Sequence, residues 1–313
     1  MKYVELPPEE NTFSNIMVDI THKCNMECAN CYIPNRDIPD MDLDRLYDAL
    51  KRLPTRTYIR LVGAEPTMHP NLADIISMVK KLGHRPSVTT NGLKLANMKY
   101  LETLRDAGLR LLLLSMNGAD EDHVYRDLDN GNWATVKVRA LRNIMKLRLP
   151  FNTGTIIARD VNPHSISRQI EVVTKIALEL GINFDTTPPY NHITPVIRMK
   201  SVGVIGRNMG GSCYYPLQEL AQLTADQLGI PYDTIINSPT TSGVVKSGNY
   251  NTALTGLMIP VPTEAGTILL RFTDWGIDDD GVVDGGNPNR GRLTEDFKIA
   301  PFFEHVKLNE FGY

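Results

Sequence analysis

Short runs of apolar, β-branched residues alternate with longer amphipathic stretches between about residues 14 and 187. The short runs are typical of buried strands, and the longer stretches repeat apolar residues at helical spacing. Pro54, Gly83, Gly108 and Gly181 follow four of the helical stretches, as expected where helices end. The predicted strands are Asn15–Ile20, Thr57–Val62, Pro86–Thr90, Arg110–Ser115, Phe151–Ala158 and Ile182–Thr187, and the predicted helices lie near residues 42–53, 71–82, 98–107, 134–148 and 164–180.

These elements predict an α/β fold in the form of a partial (β/α)6 TIM-like barrel. Strands that alternate with helices form parallel sheets, because each helix crosses one face of the sheet before the next strand begins. In such a barrel the functional groups gather at the carboxyl ends of the strands. We therefore expect the chemistry in the loops that follow the predicted strands.

The chain changes character after Pro195, where glycine, proline and asparagine become frequent. Helical periodicity remains mainly in Pro216–Leu228, and a β pair is predicted at Leu257–Val261 and Thr267–Thr273. We predict two regions on this basis. A core barrel occupies residues 12–195, and a C-terminal, substrate-facing cap or extension occupies residues 196–313.

Composition and charge narrow the class of protein. The chain has 313 residues, of which 42% are hydrophobic and 22% charged, so it can form a sizeable core. Its net charge of −3 gives no sign of a strongly basic surface, so nucleic acid is not the expected partner. No apolar run approaches the ~20 residues of a membrane span, and the first residues do not resemble a signal peptide. Three of the four cysteines are clustered, which favours a reducing cytoplasm over a disulfide scaffold.

Three cysteines follow the first predicted strand with the spacing CxxxCxxC, namely Cys24, Cys28 and Cys31. A cubic iron–sulfur cluster has four iron corners, so three thiolates leave one iron open to bind and activate a small molecule. The alternative is a structural zinc site completed by His22 or by a distant ligand. Zinc sites usually recruit a second cysteine pair further along the chain, and here the remaining cysteine is Cys213 alone.

Polar or glycine-led turns also follow the next three predicted strands. A glycine lets the backbone approach a ligand closely, a carboxylate can meet an ammonium group, and hydroxyl and amide groups suit ribose or amino-acid contacts. Each turn alone fits an ordinary βα connection, and their shared position at one edge of the sheet is the stronger evidence. The residues are Gly63, Ala64, Glu65 and Pro66, then Thr90 and Asn91, then Ser115 and Asn117.

Together these residues resemble the radical S-adenosylmethionine (radical SAM) family, over about residues 14–190. The resemblance implies that Cys24, Cys28 and Cys31 hold a [4Fe–4S] cluster whose open iron chelates the amino and carboxylate groups of SAM. It also implies a turn that meets the methionine ammonium, strand ends that contact the ribose and methionyl groups, and a fifth-strand segment beside the adenine. The residues implied in SAM binding are Gly63, Ala64, Glu65, Pro66, Thr90, Asn91, Ser115, Asn117, Arg126, Ile156 and Tyr32.

Two positions depart from the family's pattern. Ala64 stands where the family has a second glycine, so we expect it to keep a negative φ. Asn30 precedes the third cysteine, where the family often has an aromatic residue, and Tyr32 is the candidate to supply that packing. Arg126 resembles an arginine that often follows the fourth strand, and a surface arginine at a helix end fits the sequence equally well.

The activity implied by the resemblance is enzymatic. One electron, from a donor such as flavodoxin or ferredoxin, enters the cluster and cleaves SAM to methionine and a 5′-deoxyadenosyl radical, which abstracts hydrogen from a C–H bond. We expect a small polar substrate and an oxidoreductase or isomerase reaction: epimerisation, dehydrogenation or rearrangement. The alternatives are modification of a peptide or nucleotide, and a non-catalytic iron–sulfur or zinc-binding protein.

Three further residues are candidate catalytic groups. Cys213 lies just before the helix predicted from Pro216, where the helix dipole favours a thiolate. It is either a hydrogen-atom donor to a substrate radical or a buried small hydrophobic residue. Tyr214 either relays the radical or packs beside the helix. His192 follows the predicted sixth strand and is a candidate acid or base.

Overall fold

Strands and helices alternate through most of the computed structural model, which describes residues 5–31, 33, 36–203, 207, 213–238, 256–273 and 290–301. The strands are β1 (Asn15–Thr21), β2 (Tyr58–Gly63), β3 (Arg85–Thr90), β4 (Leu111–Ser115), β5 (Phe151–Ile157), β6 (Val196–Ser201), β7 (Gly256–Thr263), β8 (Gly266–Thr273), β9 (Arg290–Leu293) and β10 (Ile299–Pro301). The helices are α1 (Leu43–Lys51), α2 (Leu72–Lys81), α3 (Met98–Ala107), α4 (Asp122–Asp129), α5 (Ala134–Lys146), α6 (Ser165–Glu179), α7 (Leu217–Leu228) and α8 (Tyr232–Ile236).

The ten strands in the described residues form one sheet in the order β10-β9-β1-β2-β3-β4-β5-β6-β8-β7. All neighbours from β9 to β8 pair in parallel. The two outermost pairs, β10 with β9 and β7 with β8, are antiparallel. The helices between β1 and β6 make the crossovers that parallel pairing requires. The fold is therefore the predicted α/β partial barrel, and the carboxyl ends of β1 to β6 share one edge.

Each long crossover helix buries one apolar face. In α6 the buried residues include Ile166, Ile170, Val173 and Ile176, which recur at helical spacing. Complete burial of one such side chain contributes about 1.5–3 kcal/mol to folding. Packing of this kind fixes the helices on the sheet, so the loops at its carboxyl edge start from rigid positions.

The first five predicted strands and the five predicted crossover helices are confirmed, with ends that agree to within about two residues. The predicted strand Ile182–Thr187 is wrong, because this segment forms local turns. The Thr187 N–H donates to the carbonyl of Asn183 at 2.8 Å, and the Asn183 N–H donates to the Thr187 hydroxyl at 3.0 Å. These local bonds use groups that a strand would offer to its neighbours. The sixth strand is β6, which begins at Val196.

Beyond β6, the predicted helix is confirmed as α7, with Pro216 as its N-cap, and the predicted β pair as β7 and β8. The short elements α4, α8, β9 and β10 are additional to the prediction. β8 extends the sheet beside β6, and β9 extends it beside β1. The division into residues 12–195 and 196–313 stays a prediction. In the part of the chain that the structure describes, no helix has the length and apolar character needed to cross a membrane.

Candidate functional site

The loop after β1 carries the three clustered cysteines into a cavity at the carboxyl edge of the sheet. The cavity has a volume of about 330 Å³, within the range of small-molecule sites. Cys24, Cys28 and Cys31 line its wall, together with residues of β1 to β6 and β9. The structure therefore brings the predicted metal ligands to the edge where the strand ends also meet.

Arg207 fixes the backbone of the cysteine loop. Its N–H donates to the carbonyl of Cys31 at 3.0 Å, and its guanidinium donates to the carbonyl of Cys28 at 3.1 Å. The guanidinium also pairs with Glu27 at 2.6 Å. From the other side, the Asn130 side chain donates to the carbonyl of Glu27 at 2.5 Å. Arg207 and Asn130, which the sequence does not connect with this loop, therefore hold its backbone between Glu27 and Cys31.

The geometry of the three thiols bears on which metal group they could hold. Their sulfur atoms do not all lie within 4.8 Å of one another. A single tetrahedral zinc ion, with Zn–S bonds of about 2.3 Å, would hold them roughly 3.8 Å apart. Burial raises the pKa of the Cys24 and Cys28 thiols, and the charge of Asp129 adds to the effect at Cys28. A metal group that binds thiolates must offset this cost, and three thiolates would leave one iron of a [4Fe–4S] cluster without a protein ligand.

The turn after β2 depends on Gly63. Its φ is +140°, and a Cβ there would lie 2.1 Å from the carbonyl oxygen of Thr21. The Ala64 N–H donates to that carbonyl at 3.0 Å, and the Glu65 N–H donates to the carbonyl of Lys23 at 3.0 Å. Among the described residues, Ala64 is not one of the non-glycine residues with a positive φ, which agrees with the expectation that an alanine is tolerated there. These bonds tie the turn directly to the start of the cysteine loop.

Glu65 is a fully buried carboxylate whose hydrogen-bond donors are neutral. One oxygen accepts from the N–H and hydroxyl of Thr67, at 3.0 and 2.5 Å, and from the hydroxyl of Thr90 at 2.6 Å. The other oxygen accepts from the N–H of Asn91 at 2.6 Å. The carboxylate is thus oriented by β3 and faces the cavity, which it helps to line.

Asparagine side chains connect the neighbouring loops and strand ends. The Asn91 amide donates to the side chain of Asn25, inside the cysteine loop, at 2.7 Å. The Asn117 carbonyl oxygen accepts from the N–H of Ile156 at 3.0 Å, which joins the ends of β4 and β5. Asn91, Asn117, Ile156 and the predicted Ser115 all line the cavity.

A buried ion pair lies behind this wall and is absent from the sequence-based prediction. Asp129 and Lys137 have side-chain exposures of 2% and 0%, with 3.6 Å between carboxylate and ammonium. Asn117 donates to Asp129 at 2.9 Å, and Lys137 donates to the carbonyl of Ser115 at 2.9 Å. The pair therefore supports two predicted site residues, and Asp129 itself lines the cavity.

Basic residues of the barrel interior complete the wall. Arg60 of β2, Arg198 and Lys200 of β6, and Arg290 of β9 line the cavity. Arg36 lines it at the cysteine loop, where its guanidinium lies 3.4 Å from the sulfur of Cys31. The positions of these basic residues in the wall depend on which strands pair and which faces point inward, so the sequence alone does not place them together.

Three residues predicted to bind SAM do not belong to the described cavity wall. Pro66 is buried at the start of a short 3-10 turn, directly behind Glu65. Arg126 is exposed on α4, where its guanidinium donates to the side chain of Asn132. Its position is that of a surface arginine near a helix end. Tyr32 lies outside the described residues.

The predicted catalytic residues are also not among those that line the described cavity. Cys213 packs against a small apolar group, and its carbonyl accepts from the N–H of Arg159 at 2.9 Å. The carbonyl of Tyr214 accepts from the Arg159 guanidinium at 3.1 Å. His192 is exposed in the turn that precedes β6, at the amino edge of the sheet. Its predicted position after a sixth strand is therefore corrected, and it lies at the edge opposite the cysteines. The apolar group beside Cys213 is Val124, Leu128 and Ala158.

Fold and site together define a class of protein: a partial α/β barrel with a three-thiol loop and an interior cavity at the carboxyl ends of its strands. Residues 18–172 match the model of the Radical SAM superfamily. Residues 18–172 belong to that superfamily of enzymes, whose cofactors are a [4Fe–4S] cluster and S-adenosylmethionine, as the resemblance implied.

The relatives differ in what they act on. The chain is 26% identical over 190 residues to 7,8-dihydro-6-hydroxymethylpterin dimethyltransferase of Methanocaldococcus jannaschii, a match covering 57% of this chain and 37% of that protein. It is 30% identical over 132 residues to GTP 3′,8-cyclase of Limosilactobacillus fermentum, covering 39% of each chain. The chain therefore spans less than half of the length of these two curated relatives.

A solved structure shows the same fold. SuiB of Streptococcus suis, bound to S-adenosylmethionine, matches with a TM-score of 0.61 at 12% identity, over 95% of this chain and 61% of that chain. The structure of SuiB bound to the precursor peptide SuiA matches with a TM-score of 0.60, over 96% of this chain and 63% of that chain. At this identity the comparison establishes the architecture and no more.

Proposed function

We propose that the protein cleaves SAM at a cluster held by Cys24, Cys28 and Cys31, and abstracts hydrogen from a small polar substrate in the same cavity. One observation carries the proposal. A single cavity of about 330 Å³ is lined by the three cysteines, by the turn at Gly63 to Glu65 and by the ends of β3 to β5. Cluster, SAM and substrate must be adjacent for this chemistry, and the cavity supports that adjacency.

We assign Glu65 to the ammonium group of SAM. Its carboxylate is buried, lines the cavity and accepts hydrogen bonds from neutral donors. A buried charge favours a ligand of opposite sign, and an ammonium group supplies one. Ser115, Asn117 and Ile156 line the wall further along the sheet and would contact the ribose and adenine.

The cluster, when bound, supplies the electron that cleaves SAM to methionine and a 5′-deoxyadenosyl radical, which abstracts hydrogen from the substrate. The chain's own residues orient the ligands and exclude water. Met17, Val62 and Leu113 form apolar parts of the wall, which favours exclusion of water from the reacting groups. The outcome we propose is epimerisation, dehydrogenation or rearrangement, in the cytoplasm, with flavodoxin or ferredoxin as the electron donor.

Anaerobic reconstitution of the full chain with iron and sulfide tests this proposal. The expected results are about four irons per chain, and formation of 5′-deoxyadenosine when the reduced protein is given SAM. Cys24→Ser, Cys28→Ser and Cys31→Ser should each lose the cluster. Cys213→Ser is the matched control for iron content, because this cysteine does not line the described cavity. Uptake of zinc without iron–sulfur absorbance, or a reduced cluster that leaves SAM intact, would reject the proposal.

A peptide or a nucleotide is the second candidate substrate. The sequence similarity to GTP 3′,8-cyclase supports a nucleotide, and a peptide is included because SuiB, which has the same fold, is seen with a bound precursor peptide. Incubation with SAM and deuterated candidates of each class separates them, since the true substrate transfers deuterium to 5′-deoxyadenosine. Transfer from a peptide or nucleotide, and from no small metabolite, would replace the first substrate class.

The proposed role of Cys213 as hydrogen-atom donor has its own test. Cys213→Ala should abolish turnover or convert an epimerised product to an oxidised one, while the protein still binds iron. Unchanged product and unchanged rate would remove Cys213 from the mechanism.

A further inference from the structure

The interior face of the sheet carries a cluster of arginines. Arg60 of β2, Arg198 of β6 and Arg290 of β9 line the cavity, and Arg271 of β8 is directly opposite Arg198 in the parallel register. Lys200 also lines the cavity, two residues after Arg198 and hence on the same face of β6. We refer to Arg60, Arg198, Arg271 and Arg290 as the arginine cluster.

Three members of the arginine cluster are not neutralised by the protein. In the described part of the chain, Arg60, Arg198 and Arg271 form no salt bridge or hydrogen bond, and the Nε atoms of Arg198 and Arg271 are buried without a partner. Another inward-facing arginine shows the contrast. Arg292 of β9 pairs with Asp19 at 2.5 Å. The interior can therefore pair an arginine with a carboxylate, and it leaves these three unpaired.

The carboxylates of the described cavity wall do not compensate Arg60, Arg198 and Arg271. They are Glu65, which accepts from neutral groups of β3 and its own turn, and Asp129, which pairs with a buried lysine. The arginines also raise one another's electrostatic energy. Burial, with the charges of Arg60 and Arg271, lowers the pKa of Arg198 to about 9, and burial with the charge of Arg271 lowers that of Arg60 to about 10.

We infer that the arginine cluster binds a multiply charged anionic group of the substrate, a phosphate, a pyrophosphate or a group of carboxylates. Like charges directly opposite on adjacent strands destabilise a sheet, and buried charges are retained at a cost unless a partner arrives. A guanidinium presents several donors in a planar fork that suits phosphate and carboxylate oxygens. The identification of the anion as the substrate rests on the proposed function, whereas the anion site itself does not.

The test is a titration of anions into the full, anaerobically reconstituted protein with SAM bound. The probes are inorganic pyrophosphate and, in parallel, citrate, followed by calorimetry at low salt. We expect the wild type to bind at least one probe, and Arg198→Gln and Arg271→Gln to weaken that binding by about tenfold each. Binding of pyrophosphate alone indicates a phosphate-bearing substrate, and binding of citrate alone indicates a polycarboxylate.

Arg85→Gln is the matched control. Arg85 belongs to the same inner face, at the amino end of β3, but it lies over the ring of Tyr58 at 4.9 Å and outside the cavity wall. Its substitution should leave the affinity for the probe unchanged. Failure of the wild type to bind either probe at about 5 mM, or equal weakening by Arg85→Gln and Arg198→Gln, would overturn the inference.

Thermal unfolding separates a ligand site from a structural role. If the arginine cluster holds an anion, Arg198→Met should not lower the melting temperature of the anion-free protein, and it should remove the increase that the probe causes in the wild type. A lower melting temperature in Arg198→Met with the increase retained would assign Arg198 to structure and reject the inference.

The two proposals fail separately. Cleavage of SAM by the wild type without any substrate tests only the proposed function. A protein that cleaves SAM and binds neither probe loses the inference alone. A protein that binds a probe through the arginine cluster and never cleaves SAM keeps the anion site and loses the proposed function.

Discussion

The buried pair of Asp129 and Lys137 offers a sharp test of how the site is supported. Lys137→Met removes the ammonium, replaces its stem with a side chain of similar length, and leaves Asp129 with its bond to Asn117. The variant also loses the hydrogen bond to Ser115 and the contact over the ring of Tyr125, whose centroid lies 5.2 Å from the ammonium. We expect a large loss of stability, because an unpaired carboxylate would remain at 2% exposure.

The magnitude follows from the separation of 3.6 Å between the two charged groups. At an effective dielectric constant of about 20, two unit charges at this distance attract by about 5 kcal/mol. Removing one partner of a buried ion pair generally destabilises a protein by about 3–5 kcal/mol. We therefore expect Lys137→Met to lower the free energy of unfolding by about 3–5 kcal/mol, in urea denaturation followed by circular dichroism.

The double variant Asp129→Asn/Lys137→Met is the control. With both charges gone, it should be more stable than Lys137→Met by about 2 kcal/mol or more, although it carries one more substitution. A loss below about 1 kcal/mol for Lys137→Met, or strictly additive effects of the two substitutions, would refute this account of the pair. Reconstitution adds a second readout. Lys137→Met should also incorporate less iron, because its unpaired carboxylate raises the cost of a Cys28 thiolate.

Three further variants test how the carboxyl edge and the barrel are built, each by urea denaturation. Gly63→Ala should lower the free energy of unfolding by at least about 3 kcal/mol, because the new Cβ would lie 2.1 Å from a carbonyl oxygen. The control is Gly181→Ala, where φ is +61° but the space around the Cβ is open, and it should lower the free energy of unfolding by about 1 kcal/mol. Asn162→Ala should lower the free energy of unfolding by about 3 kcal/mol, because it removes three hydrogen bonds between a buried side chain and the backbone of Asn117, Ile156 and Ala158. A loss below about 1 kcal/mol would contradict this. Tyr190→Phe should cost about 1 kcal/mol through its bond to the carbonyl of Leu149, and Tyr190→Ala about 3–5 kcal/mol; equal losses would contradict the aromatic packing.

The repeating part of the fold is readable from the sequence because its signals are local. Each predicted helix repeats its apolar residues at helical spacing within its own segment, and a glycine or proline follows several of these helices. The segment at Ile182–Thr187 misleads because Ile182 and Phe184 are buried like strand residues, although the backbone there bonds within turns. Burial of alternate residues does not distinguish a strand from a turn anchored by two apolar side chains.

The part of the candidate site that is proposed to bind the cluster and SAM can be predicted from the sequence for the same reason. The cysteines and the turns at Gly63, Thr90 and Ser115 are contiguous motifs, each at the end of a strand that the pattern predicts. Asp129 and Arg207 carry no such signal. Asp129 looks like one more polar residue of a short helix, and Arg207 reaches the cysteine loop only because the chain after β6 returns to it.

The arginine cluster shows a deeper limit of pattern reading. β6 alternates buried Ile197 and Met199 with Arg198 and Lys200, a period that in an isolated sheet predicts one face in the core and one in water. In a barrel the second face is the interior, so the same alternation specifies a charged cavity wall. Which meaning applies depends on the neighbours of the strand, and β6 lies between β5 and β8 in a sheet that curves around the cavity. Once that pairing is known, inward arginines without protein partners become evidence about a ligand, because a solvated face would need none.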